Sequence, residues 1–299
     1  MRRTAGSRRK QAPQRGLLQV CRLTVFGNQA MQPLLRVENL VKHFPAGRLA
    51  RSRNNFVALD GVSLSIAPQT TLGLVGESGS GKSTLALCIA CLEPPTSGSI
   101  WFEDVDIAAL PEHQCRGVRP QIQFVFQDPA SSLNPRWTAL EILTEPFLVQ
   151  HRFTKQQRDD KSYDLLDRVA LPRKLAHRRA GELSGGQKQR LAIARALALE
   201  PKLILFDEAL SALDCSVQAQ ISNLLLELQC SLGLAYLFIT HDFAMAAHLA
   251  DQIAVMDRGR IVESGASEKV LRSPSHAATR ALLAATPALA ETQNVLVEL

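Results

Sequence analysis

An α/β fold built on a parallel sheet is predicted by three observations. Short apolar runs at residues 71–75, 203–206 and 236–240 alternate with segments of helical character, the order that generates βαβ units. The first run leads straight into Gly76-Glu77-Ser78-Gly79-Ser80-Gly81-Lys82-Ser83, which fits G-x-x-x-x-G-K-[S/T], and then into a helix start at 83–90. The other two runs end in Asp207-Glu208 and His241-Asp242. Ligand sites in open parallel sheets lie beyond the carboxyl ends of the strands, so these polar residues and the loop are expected to converge. With 299 residues, 46% of them hydrophobic, the chain can bury one large core and a smaller subdomain.

Charge and cysteine content narrow the function classes. The formal charge is +6, but Arg2, Arg3, Arg8, Arg9, Lys10, Arg15 and Arg22 supply seven positive charges before Met31 with no acidic residue among them, leaving −1 for the remainder. The basic excess belongs to the tail, and no nucleic-acid partner is expected. Residues 1–30 lack sustained periodicity and read as a disordered arm, or as the product of an upstream start codon with Met31 the natural beginning. No apolar run reaches the roughly 18 residues of a membrane span, and 17–21 is too short for a signal-peptide core, so a cytoplasmic chain is expected. The six cysteines lack framework spacing. Cys88 and Cys91 are formally C-x-x-C, but on the helix after the loop they read as small apolar residues, with no redox or metal role.

The elements follow in order. Residues 34–44 and 57–66 have strand character and flank a basic loop at 47–55, giving a small antiparallel sheet beside the core. After the loop helix come a turn at 94–98, a strand at 99–102 and a polar helical stretch at 111–119. The strand at 121–126 delivers Gln127 at its end. From 128 to about 187 the composition changes to a Pro/Ser/Asn-rich loop and helical segments, including 154–170 with Thr154 as cap, which reads as a helical insert. A helix at 188–199 is rich in good formers and is followed by Pro201. A closing hairpin pairs 253–256 with 261–263 across the turn 257–260.

The chemistry follows from position. The loop glycines let successive N–H groups and the helix N-terminus face anionic phosphates, with Lys82 adding a point charge and Ser83 a hydroxyl for Mg²⁺. Asp207, after four apolar residues, suits a carboxylate that holds Mg²⁺, and Glu208 is placed as general base for an attacking water. Gln127 reaches both Mg²⁺ and that water, and His241 contacts the γ-phosphate from the opposite side.

Leu183-Ser184-Gly185-Gly186-Gln187 resembles the signature of ABC ATPases, and Ser211-Ala212-Leu213-Asp214 resembles their D-loop. With the phosphate loop, Gln127, Asp207-Glu208 and His241, the ordered set spans about residues 34–265. The resemblance implies a P-loop NTPase (RecA-like) parallel-sheet core with an N-terminal antiparallel β subdomain and an inserted helical subdomain. It implies ATP and Mg²⁺ as ligands, bound by Gly76 to Thr84. It also implies a second cassette, homo- or heterodimeric, packed head to tail so that Ser184, Gly185, Gly186 and Gln187 close on the partner's ATP. Phe44 matches the aromatic that stacks on adenine in the family, with a core role as the alternative.

Residues 126–136 and 213–221 are similar to the peptide and nickel importer subfamily, and 273–283 is similar to its C-terminal extension, here 266–299. Two departures stand out: Ala277-Ala278 where Pro-Tyr is usual, and Ala209-Leu210 where Pro-Thr or Pro-Ser follows the Glu. Loss of that proline relaxes φ beyond the base. The cysteine cluster of some members is absent, so no iron–sulfur centre is expected. The resemblance implies a peripheral subunit on the cytoplasmic face of the cell membrane that hydrolyses ATP to energise uptake of peptides, nickel or another small solute. Its partners would be transmembrane permease subunits and, indirectly, an extracytoplasmic solute-binding protein. Leu133, Asn134, Pro135 and Arg136, attached to the γ-phosphate sensor Gln127, are the expected permease-docking surface. The alternative is a soluble non-transport ABC ATPase acting on ribosomes or DNA, and an exporter cassette is disfavoured by the segment after Gln127.

Overall fold

The computed structural model describes residues 32–45, 56–150 and 153–285; the basic arm at 1–30, the loop at 47–55 and the end of the 266–299 extension lie outside the described residues. Two sheets organise the chain. Strands β1 (Leu35–Phe44), β2 (Phe56–Ile66), β4 (Ser97–Phe102) and β5 (Val105–Asp106) form an antiparallel sheet in the order β2-β1-β4-β5. Strands β3 (Thr71–Val75), β6 (Ile122–Val125), β7 (Leu203–Asp207), β8 (Ala235–Thr240), β9 (Gln252–Asp257) and β10 (Arg260–Ala266) form the larger sheet, in the order β10-β9-β3-β8-β7-β6. All of its pairings are parallel except the β9–β10 hairpin. The hairpin is where the sequence places it, but its first strand also joins the parallel sheet beside β3.

The apolar strands read as continuous runs because both faces of the sheet are covered. In β7, Leu203 and Leu205 enter one core cluster while Ile204 and Phe206 enter another; in β8, Leu237 and Ile239 part from Tyr236 and Phe238 in the same way. The first face packs against the antiparallel sheet and against α1 (Lys82–Ile89), through Leu35, Leu59, Leu85 and Ile89. The second face packs against the helical layer. Full burial of each such side chain contributes about 1.5–3 kcal/mol, so this double-sided packing fixes the strand ends with little freedom.

Helix α2 (Glu112–Val118) precedes β6, and the segment after β6 carries α3 (Pro129–Ser132), α4 (Ala139–Val149) and α5 (Lys155–Arg168). Capping boxes start α4 and α5: Thr138 pairs with Glu141 and Thr154 with Gln157, each side chain satisfying the other's backbone N–H. Helix α6 runs Gly185–Leu197, three residues earlier than its composition suggests, because Ser184 and Gln187 form a third capping box around two glycines. Beyond β7, α7 (Cys215–Leu232) is capped by Asp214 and closed by Gly233 in the left-handed region at φ 67°. Then come α8 (Phe243–Leu249), α9 (Ser267–Arg272) and α10 (Ala277–Ala284). Among the described residues no helix is long and apolar enough to cross a membrane.

Candidate active site

Four strand ends meet. The loop after β3 holds its shape by close backbone approach: a Cβ on Gly76 would stand 2.2 Å from the Met256 carbonyl oxygen, and one on Gly81 2.4 Å from that of Ala58. Gly81 also sits at φ 108°, a conformation L side chains rarely adopt, and turns the chain directly into α1. The loop thus presents its amides at a helix N-terminus, where anions bind. A cavity of ≈ 310 Å³ opens there, lined by Phe56, Ser78, Gly79, Gly81, Lys82, Ser83, Thr84, Gln127 and Glu208. A second cavity of ≈ 340 Å³, between α5 and the start of β7, contains none of these residues and is not the site of the chemistry.

Lys82 is buried, and its ammonium donates to the carbonyls of Gly76 (2.8 Å) and Glu77 (2.7 Å) and, more weakly, to the Ser80 hydroxyl (3.4 Å). Burial pushes its pKa below the ordinary value, while Glu208, Asp207 and Glu77 pull the other way. Asp207 shows the mirror effect: burial raises its pKa and Glu208 adds to the rise, while the Ser83 hydroxyl bonded to it and the charge of Lys82 oppose. Its Oδ1 is buried without a hydrogen-bond partner among the described residues. An orphaned carboxylate oxygen beside a serine hydroxyl at the edge of a phosphate loop fits a hard divalent cation, which takes oxygen ligands from one or two carboxylates and substrate phosphates.

Glu208 adopts φ 46°, an uncommon conformation for a glutamate. It is held by its own N–H to the Ile239 carbonyl (3.0 Å), and its carbonyl accepts from the Ser211 N–H (3.1 Å) and hydroxyl (2.8 Å). Ala209 and Leu210, where proline was missing, are both buried, so packing holds this turn in place of a fixed φ. The Glu208 carboxylate faces Gln127 Nε2 at 3.3 Å and His241 Nδ1 at 3.6 Å. A carboxylate, a carboxamide and an imidazole therefore meet at one point, and the first two line the cavity.

The signature residues Ser184, Gly185, Gly186 and Gln187 do not line this cavity. They pack beside the D-loop and the start of α7: a Cβ on Gly185 would meet Leu213 at 3.4 Å, and one on Gly186 would meet Val217 at 2.7 Å. Phe44 is half-buried at the end of β1, with the Lys42 ammonium 5.0 Å from its ring centre, and does not line the cavity either. Its cross-strand partner Phe56 does, 62% exposed. Sequence reasoning missed Phe56, although an exposed aromatic just ahead of an alternating strand was a usable signal. Leu133 departs from expectation: it is buried in the core cluster with Leu183 and Leu191, because the α3 turn rotates it inward. The exposed residues of that stretch are Asn134, Pro135, Arg136 and Trp137.

Comparison with known proteins agrees with this geometry. The ABC transporter family model matches residues 59–211. The chain is 48% identical over 256 residues (85% of it, 72% of the relative) to the probable peptide ABC transporter ATP-binding protein y4tS of Sinorhizobium fredii. It is 43% identical over 259 residues (86% and 78%) to the dipeptide transport ATP-binding protein DppF of Escherichia coli. To the oligopeptide transport ATP-binding protein AppF of Bacillus subtilis it is 44% identical over 259 residues (86% and 79%). Among solved structures it resembles the ATP-binding cassette MJ0796, a dimer in a post-hydrolysis state bound to ADP and Pi, with TM-score 0.70 and 31% identity over 78% of this chain and 98% of that one. The family match spans the phosphate loop, Gln127, the signature and Asp207-Glu208, and the chain belongs to the ABC transporter family as one of its ATP-binding subunits.

Proposed function

We propose that the chain hydrolyses Mg-ATP at this site and that hydrolysis energises peptide uptake through a separate permease, the chain docking as a peripheral subunit on its cytoplasmic side. The observation that carries the chemistry is the meeting of Glu208, Gln127 and His241 at the mouth of the phosphate-loop cavity. Peptide as the solute is supported by the names of the three relatives, which are peptide, dipeptide and oligopeptide transport proteins. The ribosome- or DNA-acting alternative finds no support among them.

In this reading residues 31–265 form the cassette, with the insert at about 128–187, and 266–299 the extension. The amides of Gly76 to Thr84 bind the β- and γ-phosphates, and Lys82 exchanges loop carbonyls for phosphate oxygens. Ser83, Asp207 and Gln127 would hold Mg²⁺, which would neutralise charge on the phosphates. Glu208 accepts the proton of the attacking water, Gln127 orients that water, and His241 donates to the γ-phosphate. Phe44 and Phe56 form an aromatic edge for the adenine. Because Ser184 to Gln187 stand away from the chain's own cavity, their helix N-terminus serves the ATP of a second cassette.

The test has two arms. The Glu208→Gln chain should form a dimer on Mg-ATP addition, seen as a doubling of mass by light scattering. Arg136→Glu combined with Trp137→Ala should abolish co-purification with the permease while ATP binding survives. A chain that stays monomeric with ATP bound contradicts the composite site, and retained co-purification contradicts the docking surface.

A further inference from the structure

The C-terminal helix is fastened to the β9–β10 hairpin by one carboxylate. Glu263, on β10, accepts from the backbone N–H of Ser275 at Oε1 (2.8 Å), from that of His276 at Oε2 (2.9 Å) and from the Thr279 hydroxyl at Oε2 (2.5 Å). These are the entry and first turn of α10. Thr279 is fully buried, and Arg280 closes the same turn by donating to the carbonyls of Ser275 (2.8 Å) and Pro274 (3.3 Å). The carboxylate collects the free N–H groups at a helix start, where negative charge is also favoured by the helix dipole.

The hairpin so fastened is the back wall of the phosphate loop. The Gly259 N–H in its turn donates to the Ser80 carbonyl (2.9 Å), and Gly76 rests on the Met256 carbonyl too closely for any side chain. Leu283 of α10 shares a core cluster with Val255 of β9 and with Val75, the residue before Gly76. A cavity of ≈ 240 Å³ is walled on one side by Glu77, Ser78, Gly79 and Ser80 and on the other by Ala278 and Leu282. The extension therefore touches the loop through a packed and hydrogen-bonded path, and leaves the loop's outer side room to move.

We propose that Glu263 is a positioning residue for nucleotide binding: by fastening α10 to β10 it holds the β9–β10 hairpin in the register that shapes the phosphate loop. The inference rests on the loop being the ATP site. Removing the fastening loosens α10, and the loop samples conformations that bind triphosphate less well. Glu263 touches neither nucleotide nor metal, so its effect falls on affinity and not on the chemical step.

The test compares Glu263→Ala, Glu263→Gln and Lys82→Ala in the full chain by titration with a fluorescent ATP analogue, by steady-state ATPase and by limited proteolysis. Glu263→Ala should raise Kd and KM about three- to thirtyfold, the span of couplings carried by packed networks, with kcat within about twofold. Cleavage should appear between residues 273 and 285, and Glu263→Gln, whose amide oxygen still accepts, should fall between Ala and wild type. Cleavage with unchanged Kd overturns the proposal, as does a fall in kcat at unchanged KM. If Glu263→Ala loses its thermal unfolding transition, Thr279→Val, which removes one of the three donors, carries the same comparison. Lys82→Ala separates the two levels: if it binds ATP like wild type, the site reading fails, whatever Glu263 does.

Discussion

Replacing Glu208 by Gln changes one atom and asks whether the carboxylate is the base. The amide keeps the volume, and its oxygen can still accept from Gln127 Nε2, now 3.3 Å from the carboxylate. What disappears is the proton acceptor and the negative charge facing His241 at 3.6 Å. A positioned general base contributes about 10²- to 10⁴-fold, so kcat should fall by that factor, or about 2.7–5.5 kcal/mol of barrier. Binding should move the other way. Glu208 also repels the triphosphate, and with its side chain 20% exposed, removing one charge tightens ATP by about two- to tenfold at an intermediate dielectric. Phosphate release at saturating Mg-ATP measures the first quantity and nucleotide titration the second. A kcat within threefold of wild type would refute the assignment of the base. Loss of binding together with turnover would show that the substitution collapses the site, held as it is by an unusual φ at this residue.

Lys82→Ala removes a charge-assisted donor and should weaken ATP binding about ten- to hundredfold, measured by the same titration; an unchanged Kd would contradict the placing of the triphosphate at this loop. Gly186→Ala places a Cβ against the branched, stiff Val217 side chain at 2.7 Å and should cost about 1–2 kcal/mol after the gain in helix propensity. Val217→Ala in the same chain should restore most of that loss, and additive melting shifts would show the two residues do not meet. Burial alone would raise the pKa of Glu263, but the hydrogen bonds from Ser275, Thr279 and His276 bring it from 4.5 to about 2. A depressed carboxylate contributes stability that is present above 4.5 and lost as pH falls through about 2. The melting-temperature gap between wild type and Glu263→Gln should accordingly narrow across that window; a constant gap would assign the shift to another group.

The parts legible in the sequence are those fixed by local pattern. Apolar runs marked β3, β7 and β8, the loop motif marked its own glycines, and the polar residues after each run proved to be neighbours because a parallel sheet aligns strand ends. Thr154 marked the start of α5 by its capping box. What was not legible depends on contacts distant in sequence. Helix α7 carries a mixed polar face and was not assigned, though Asp214 and Gly233 bound it. The place of β9 beside β3 is a matter of sheet order, which periodicity does not encode. Leu133 was placed on the docking surface with Asn134 to Arg136 because the stretch is attached to Gln127, but a single turn of α3 carries it into the core. Cys88 and Cys91, read as small apolar residues, do pack with the core, Cys88 buried and Cys91 against the same cluster, and burial raises both thiol pKa values to about 12.

ATP hydrolysis at the Glu208 site is proposed to move peptide across a membrane. It is tested most directly in vesicles containing the chain, its permease subunits and the solute-binding protein, by following accumulation of a labelled oligopeptide against its gradient. Accumulation should require Mg-ATP on the cassette side and stop with Glu208→Gln, in step with the loss of phosphate release. Peptide accumulation that continues with the Glu208→Gln chain, or full ATPase activity with no peptide movement in the wild-type assembly, would contradict it.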